Sequence, residues 1–288
     1  MKYETPGRFG GKGFMEFLFQ DIRYACRVLV KNPAFALIAI LILALGIAAN
    51  TTIFSWISAT ILDPIPGAGR TSDLVTVMRG ERSEHPQPPF SYPDYVDLRE
   101  RSASFSGLLA YHDDFVSLTG MVKPERVYGA LISANYFEVL GVRPILGSGF
   151  LQAEEEKPGR TPSVIISYGL WQSHFGADRL IVGKAIQLNR QLCTVVGVAP
   201  PGFQGCKSGL RTDLWVPLVY RGDQLNDRGS FWLNVLGRIK PGIDRRQAEA
   251  ELDIQMRRIA GQFPDSHRGP NQITLDPLWR SPFGANVY

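Results

Sequence analysis

The chain has 288 residues, with 31 lysine and arginine residues against 27 aspartate and glutamate residues, which gives a formal net charge of +4 at pH 7. Residues 1–33 hold six basic and three acidic side chains, a net +3, so only +1 remains for the rest of the chain. A nucleic-acid-binding surface on the large C-terminal part is therefore not expected, whereas the basic N-terminal arm suits an anionic lipid bilayer.

The segment from Ala34 to Leu62 contains no charged side chain, and its first part, AFALIAILILALGIAA, is almost wholly apolar. About 20 helical residues, at about 1.5 Å of rise each, cross a hydrocarbon layer of about 30 Å. The segment is therefore predicted to be a transmembrane helix. Small and polar residues within it favour contact with other helices, although a place in the outer headgroup zone explains the polar ones equally well. Representative positions of the span are Ala34, Leu45, Gly46, Asn50 and Leu62.

Basic residues concentrate before the apolar segment, while the residues just after it are of mixed charge. The positive-inside rule then places the N-terminus in the cytoplasm and the part beyond Leu62 outside it. A cleaved signal peptide is the alternative. It explains the pattern less well, because 33 residues precede Ala34 and the apolar run is longer than a signal-peptide core.

The residues from Phe14 to Val30 repeat apolar side chains at helical spacing, with charged residues between them. This pattern predicts an amphipathic helix along the inner membrane face, separated from the span by Asn32-Pro33. Its apolar residues Leu18, Ile22 and Leu29 are candidates for contact with a cytoplasmic partner. A juxtamembrane helix without any partner explains the same pattern equally well.

The residues from Asp63 to Tyr288 alternate between short apolar runs and amphipathic stretches. Mixed strands and helices without a strict β–α–β rhythm favour an α+β fold, and Ser91 and Asp244 are predicted N-caps. The predicted strands are Leu74–Met78, Gly107–Tyr111, Arg126–Ile132, Ser163–Ser167, Ala185–Leu188, Leu192–Val198, Leu214–Leu218, Leu233–Ile239 and Ile273–Leu278. The predicted helices are Ser91–Arg101, Ala134–Leu140, Tyr168–Phe175 and Asp244–Ile259.

No catalytic, cofactor-binding or metal-binding residue is predicted. The four histidines show no ligand spacing among themselves or with the three cysteines. His112 precedes Asp113 and Asp114, but neighbouring residues of a strand point to opposite faces and so do not form an acid–base pair. Cys193 and Cys206 lie outside the cytoplasm, where a disulfide can form. Two buried free thiols explain them at least as well, because spacing does not determine pairing.

Several long stretches resemble, in order, the MacB/FtsX-like permeases of ABC transporters, in particular the duplicated or orphan bacterial group. The resemblance covers nearly the whole chain from Asp21, and its later part resembles the MacB-like periplasmic core domain. The stretches that carry it are DIRYACRVLVKNPAFALIAILILALGIAANTTIFSWISATIL, FSYPDYVDLRERSASFSGLLAY, ISANYFEVLGVRPILGSGF, VIISYGLWQSHFGADRLIVGKAIQLN, TVVGVAPPGFQG, DLWVPL and GRIKPGIDRRQAEAEL.

The resemblance implies a cytoplasmic segment (1–33), a transmembrane helix (34–62) and a periplasmic domain (63–288) in the bacterial inner membrane. The periplasmic domain would consist of a porter subdomain, about 63–150 and 228–278, and an inserted sabre-like subdomain, about 151–227. Family members have four membrane helices, but no second apolar span follows here before Tyr288. The run LGSGF also departs from the family, which has Gly-Arg after its leucine.

The resemblance further implies a permease component that couples a separate cytoplasmic ABC ATPase to its periplasmic domain, with export of a substrate as an expected outcome. Expected partners are that ATPase, other permease helices or a second permease copy, and a periplasmic or envelope protein. A single-pass periplasmic binding or adaptor module that works without ATP is the alternative. A membrane-anchored hydrolase is less favoured, because no nucleophile and base combination emerges from the sequence.

Overall fold

The computed structural model describes residues 20, 23–24, 27, 30–57, 65–80, 90–119, 124–151, 162–207 and 210–278. The chain divides into two compact units, Met1–Ser58 and Ala59–Tyr288. We call the second unit the body. The predicted residues Leu18, Ile22, Leu29 and Leu62 lie outside the described residues.

The first unit contains helix α1 (Pro33–Ile57), which begins at the predicted proline. Proline suits the first helical position because its missing N–H would have no partner there. The stretch Pro33–Ser55 is long and apolar enough to cross a membrane, and none of it is buried within the chain. Thr52 donates its hydroxyl to the carbonyl of Ala48, 2.8 Å away, so this polar group is satisfied within the helix. Ala34, Leu45, Gly46 and Asn50 all lie in α1 and are exposed.

The body is a mixed α+β structure, as predicted. Its strands are β1 (Leu74–Arg79), β2 (Phe105–Thr119), β3 (Glu125–Ile132), β4 (Leu146–Gly147), β5 (Ser163–Ile166), β6 (Ala185–Leu188), β7 (Gln191–Val198), β8 (Leu214–Pro217), β9 (Asn234–Ile239) and β10 (Ile273–Pro277). Its α-helices are α2 (Tyr92–Arg101), α3 (Tyr136–Leu140), α4 (Tyr168–Phe175) and α5 (Arg245–Gln262), and a 3₁₀ helix spans Leu218–Gln224.

The strands of the described residues form one sheet in the order β10-β1-β9-β2-β3-β8-β5-β7-β4, with β6 paired to β2 and β7. Strands β9 and β10 both run antiparallel to β1. Leu74 at the start of β1 therefore pairs with Arg238 at the end of β9, and Val75 pairs with Pro277 at the end of β10. The chain thus enters and leaves the sheet at the same end.

Each face of the sheet carries its own hydrophobic cluster, because successive strand residues point to opposite faces. The helix-covered cluster lies under α2, α4 and α5 and includes Leu98, Leu170 and Leu252. The aromatic cluster on the other face contains Tyr111, Tyr136, Phe137, Phe203 and Trp215, and α3 packs into it. The clusters mark the two layers of the α+β architecture.

Two predicted N-caps are confirmed. Ser91 Oγ accepts a hydrogen bond from Asp94 N, and the side chain of Asp244 accepts one from Arg246 N. Strand β2 is much longer than predicted, since its polar middle stays paired with β3, from Tyr111–Ile132 to Leu118–Glu125. Strand β4 and the 3₁₀ helix were not predicted, since neither has a periodic apolar pattern.

A buried group of charges joins distant parts of the helix-covered face. Asp94 is fully buried in α2, and its carboxylate lies 2.7 Å from Arg228 Nη1 and 3.1 Å from His267 Nε2. Arg79, at the end of β1, lies 3.6 Å away on the same carboxylate. The predicted helix Ser91–Arg101 places Asp94 in its first turn, which gives no indication of these partners. Its partners come from sequence positions far away, which periodicity does not reveal.

The predicted porter and insert boundary runs through a continuous sheet, between β3 and β8, which pair in parallel. Residues Leu146–Gly147, on the porter side of that boundary in sequence, pair with β7 at the far edge of the insert. The two predicted subdomains therefore share hydrogen-bonded strands.

Candidate functional site

The residues that lead from α1 into the sheet are tightly held by the body. We call Ile65–Asp73 the connecting segment. Its first residue, Ile65, is 1% exposed and belongs to the aromatic cluster. A turn follows, in which Ala68 N donates to Ile65 O at 3.1 Å. The connecting segment is thus part of the hydrophobic core and not a free linker.

Two glycines let the connecting segment approach its neighbours closely. Gly67 has a φ of +78°, and a β-carbon there would lie 2.9 Å from the backbone nitrogen of Phe203. Gly69 donates its N–H to Leu140 O at 2.9 Å and lies against Gly141. Only glycine adopts the left-handed conformation of Gly67 at low cost and leaves room for the adjacent backbone.

Arg238 of β9 holds the far part of the connecting segment. Its Nε donates to Val139 O at 2.7 Å and its Nη1 donates to Arg70 O at 2.6 Å. Burial lowers the pKa of this guanidinium below its ordinary value, and Asp73 opposes that effect. Ile239 N also donates to Asp73 O at 2.9 Å. One side chain therefore joins the connecting segment, α3 and β9.

The contacts of the connecting segment reach both predicted subdomains. Phe203, against which Gly67 lies, belongs to the predicted insert and stacks on Trp215 of β8 with ring centroids 5.3 Å apart. Leu140 and Arg238 belong to the predicted porter. A displacement of the connecting segment would therefore act on both parts, because close-packed interiors transmit strain.

Comparison with known proteins identifies the family. The sequence model of the MacB-like periplasmic core domain matches residues 36–254. The chain belongs to this family. No curated protein has a significant sequence match to it.

Solved structures share the fold of this MacB-like domain. The periplasmic region of MacB from Actinobacillus actinomycetemcomitans aligns with a TM-score of 0.54 and 17% identity, over 75% of this chain and 92% of that one. The extracellular domain of the noncanonic ABC-type transporter YknZ from Gram-positive bacteria aligns with a TM-score of 0.51 and 16% identity, over 70% of this chain and 98% of that one. At these identities the likeness concerns the fold.

A serine, a histidine and a glutamate are hydrogen-bonded in the MacB-like domain, which sequence reasoning missed. Ser173 Oγ lies 2.7 Å from His174 Nδ1, and His174 Nε2 lies 2.7 Å from Glu125 Oε2. Ser173 Oγ also lies 2.8 Å from Gly169 O, and its single proton cannot serve both acceptors. Ser173 lies within α4, where backbone N–H groups bond within the helix and do not form an oxyanion site. The hydrogen bond between His174 and Glu125 ties α4 to β3.

The residues around His112 lie on opposite faces of β2, as predicted. Asp114 pairs with Arg221 at 2.9 Å, whereas Asp113 lies half-buried on the other face. Burial raises the pKa of Asp113 to about 6, and Lys207 opposes this rise. Burial lowers the pKa of His112. Asp113 therefore faces away from His112 and Asp114.

Cys193 and Cys206 are free thiols in the structure, so the disulfide that the sequence left open is not formed. Cys193 belongs to the helix-covered cluster and Cys206 to the aromatic cluster, on opposite faces of the sheet. Burial raises the pKa of Cys193 to about 11 and also raises that of Cys206. Among the described residues, no group of three or more His, Cys, Asp or Glu side chains is placed to hold a metal ion.

Sequence reasoning also missed the connecting segment. The sequence did contain an indication of this segment. Directly after the apolar segment it has two prolines and two glycines within six residues, at Pro64, Pro66, Gly67 and Gly69. Such a run is typical of a turn-rich loop, and a loop that docks in a core differs from others only through its distant contacts.

Gly67→Ala tests the close approach to Phe203. Both Gly67 and Gly202 have a positive φ, but a β-carbon at Gly202 meets nothing within 4 Å. We expect Gly202→Ala to lower the thermal midpoint of the full chain in detergent by about 3 °C through backbone strain alone. Gly67→Ala should lower it by about 8 °C, because the Phe203 backbone must also move. Equal shifts in circular-dichroism melts would contradict the tight docking.

Asp113→Asn tests the pH dependence of stability. The folded state raises the pKa of Asp113 to about 6, above the value of about 3.9 expected when unfolded. Its stabilising contribution is therefore complete below about pH 4 and is lost as the pH rises through about 6. The variant should melt at the wild-type temperature at about pH 4 and higher than wild type at about pH 7.5. The same difference in melting temperature at both pH values would show that Asp113 does not titrate in this way.

Proposed function

We propose that the chain is the membrane-anchored permease component of an ABC-type transport or mechanotransmission system. A separate cytoplasmic ATPase would drive it, and the body would act in the periplasm. Membership of the MacB-like family supports a partnership with an ABC ATPase in general. The basic residues before α1 support a cytoplasmic N-terminus and a periplasmic body.

The observation that carries the proposal is the fixed connecting segment. Only residues 58–64 separate the last residue of α1 from Ile65, which is buried in the aromatic cluster. A movement of α1 would pull on the connecting segment. The contacts of Arg238, Gly67 and Gly69 would then transmit that movement to the sheet. A flexible linker would absorb the same movement, because a Gly-rich coil has many conformations of similar energy.

The mechanism requires two states with different contacts, since a ligand shifts an equilibrium only through differential affinity. We propose that ATP-driven dimerisation of the ATPase selects one state through the inner residues Leu18, Ile22 and Leu29. The porter (63–150 and 228–278) and the insert (151–227) would then move together, because they share the sheet and the aromatic cluster. The outcome would be the export of a substrate or the control of a periplasmic partner, with further permease helices or a second copy completing the membrane part.

Co-purification tests the contact with the ATPase. The full chain, solubilised from its native membranes, should recover an ABC ATPase subunit that mass spectrometry identifies by its Walker A sequence. Changing Leu18, Ile22 and Leu29 together to Asp should abolish that recovery, because each charge is costly in an apolar contact. The control Ile254→Asp, at an exposed position of the body, should retain it.

The failure of wild-type protein to recover any ABC ATPase would contradict the proposal and favour an adaptor that works without ATP. Retention of the ATPase by the triple variant would instead place the contact elsewhere on the permease and remove the inner residues from the mechanism.

A further inference from the structure

The end of the sheet where the chain enters and leaves carries a small cavity of about 260 Å³. It is lined by the start of β1, by the turn between β9 and α5, and by Pro277 at the end of β10. Ile243 N donates to Lys240 O at 3.2 Å and closes the turn. The cavity is therefore built from three chain segments that the strand register fixes side by side.

The charged side chains around this cavity are mainly basic. Lys240 and Arg245 line it, are exposed, and form no ion pair with any acidic side chain of the described residues. Asp73 is the acidic residue of the lining, and Arg70 lies 3.8 Å from it. Arg238 adds a second positive charge near Asp73. The negative charge of Asp73 is thus opposed by two arginines, and Lys240 and Arg245 leave the lining with a net positive charge.

Neighbouring acidic residues are already engaged with backbone groups. Asp244 caps α5 by accepting from Arg246 N at 3.0 Å. Glu251, whose pKa Lys240 helps to lower, accepts from Ser104 N at 2.8 Å and from Ala103 N. The cavity therefore presents two available cations at the edge of the body.

The position of the cavity determines what can reach it. Asp73 ends the connecting segment, and the seven residues 58–64 join that segment to α1. Seven residues span at most about 25 Å even when fully extended. The connecting segment, which borders the cavity through Asp73, is therefore the part of the body tethered to α1, and with the proposed anchoring, lipid phosphates can reach it.

We infer that this cavity binds the phosphate of an anionic lipid headgroup from the outer leaflet, through Lys240 and Arg245. The inference rests on the membrane anchoring in the proposed function. Juxtamembrane lysine and arginine side chains each strengthen binding to anionic lipid by about 5-fold. The bound lipid would steady the β9–α5 turn beside Asp73, and so the end of the connecting segment.

Hydrogen exchange of the full chain in nanodiscs tests this inference. We compare nanodiscs of phosphatidylcholine with nanodiscs that also contain phosphatidylglycerol. The amides of Lys240 and of residues 242–246 should exchange at least about 5-fold more slowly with phosphatidylglycerol, and added salt should reduce the difference. Lys240→Gln with Arg245→Gln should abolish the difference.

The matched control is Arg257→Gln with Arg268→Gln, which removes the same charge from exposed positions that the cavity does not include. This control should keep the full lipid effect. Equal exchange in both lipids, or a retained effect in the Lys240 and Arg245 variant, would overturn the inference. Protection of the same amides by inorganic phosphate in phosphatidylcholine nanodiscs would contradict the claim that the bound phosphate belongs to a lipid.

Loss of the lipid effect in a chain that still incorporates into nanodiscs would leave the proposed function intact. Failure of the chain to incorporate at all would count against the membrane anchoring itself, so the two failures are distinguishable.

Discussion

The guanidinium of Arg238 donates to backbone carbonyls from two other parts of the chain, at Arg70 and Val139. These bonds fix the place where the chain passes from the apolar helix into the sheet. A charged donor forms stronger hydrogen bonds than a neutral one. Replacement of Arg238 would therefore remove a strong hydrogen bond from each of the two carbonyls. Gly67 and Gly69, which approach the neighbouring backbone closely, precede Arg70 in the same segment.

The aromatic cluster extends this constraint to both predicted subdomains. Ile65, Phe137, Phe203 and Trp215 belong to one buried cluster, although the sequence assigns them to different predicted subdomains. The sheet continues without interruption from β3 to β8 as well. In a close-packed core, side chains cannot shift independently, so the subdomains share any displacement that reaches the cluster. The two predicted parts of the MacB-like domain are therefore packed around one shared core.

The features that the sequence predicted correctly are those whose signal lies within a few neighbouring residues. Helix α1 followed from its apolar composition, and α2 and α5 from N-caps at Ser91 and Asp244, because those signals lie within a few residues. The docking of the connecting segment depends on Arg238, which is 168 residues from Arg70. The burial of Asp94 depends similarly on Arg228 and His267. Such contacts exist only after folding, so periodicity and capping rules do not detect them.

The most direct test is native-state hydrogen exchange of Gly69, whose N–H is bonded to Leu140 O, compared with Ile239, whose N–H is bonded to Asp73 O. If the connecting segment is part of the rigid body, both amides of the full chain exchange only through global unfolding, with the same steep dependence on urea. Fast exchange at Gly69 that urea does not change, beside slow exchange in the strands, would show that the segment opens locally. That result would contradict the transmission of movement through it.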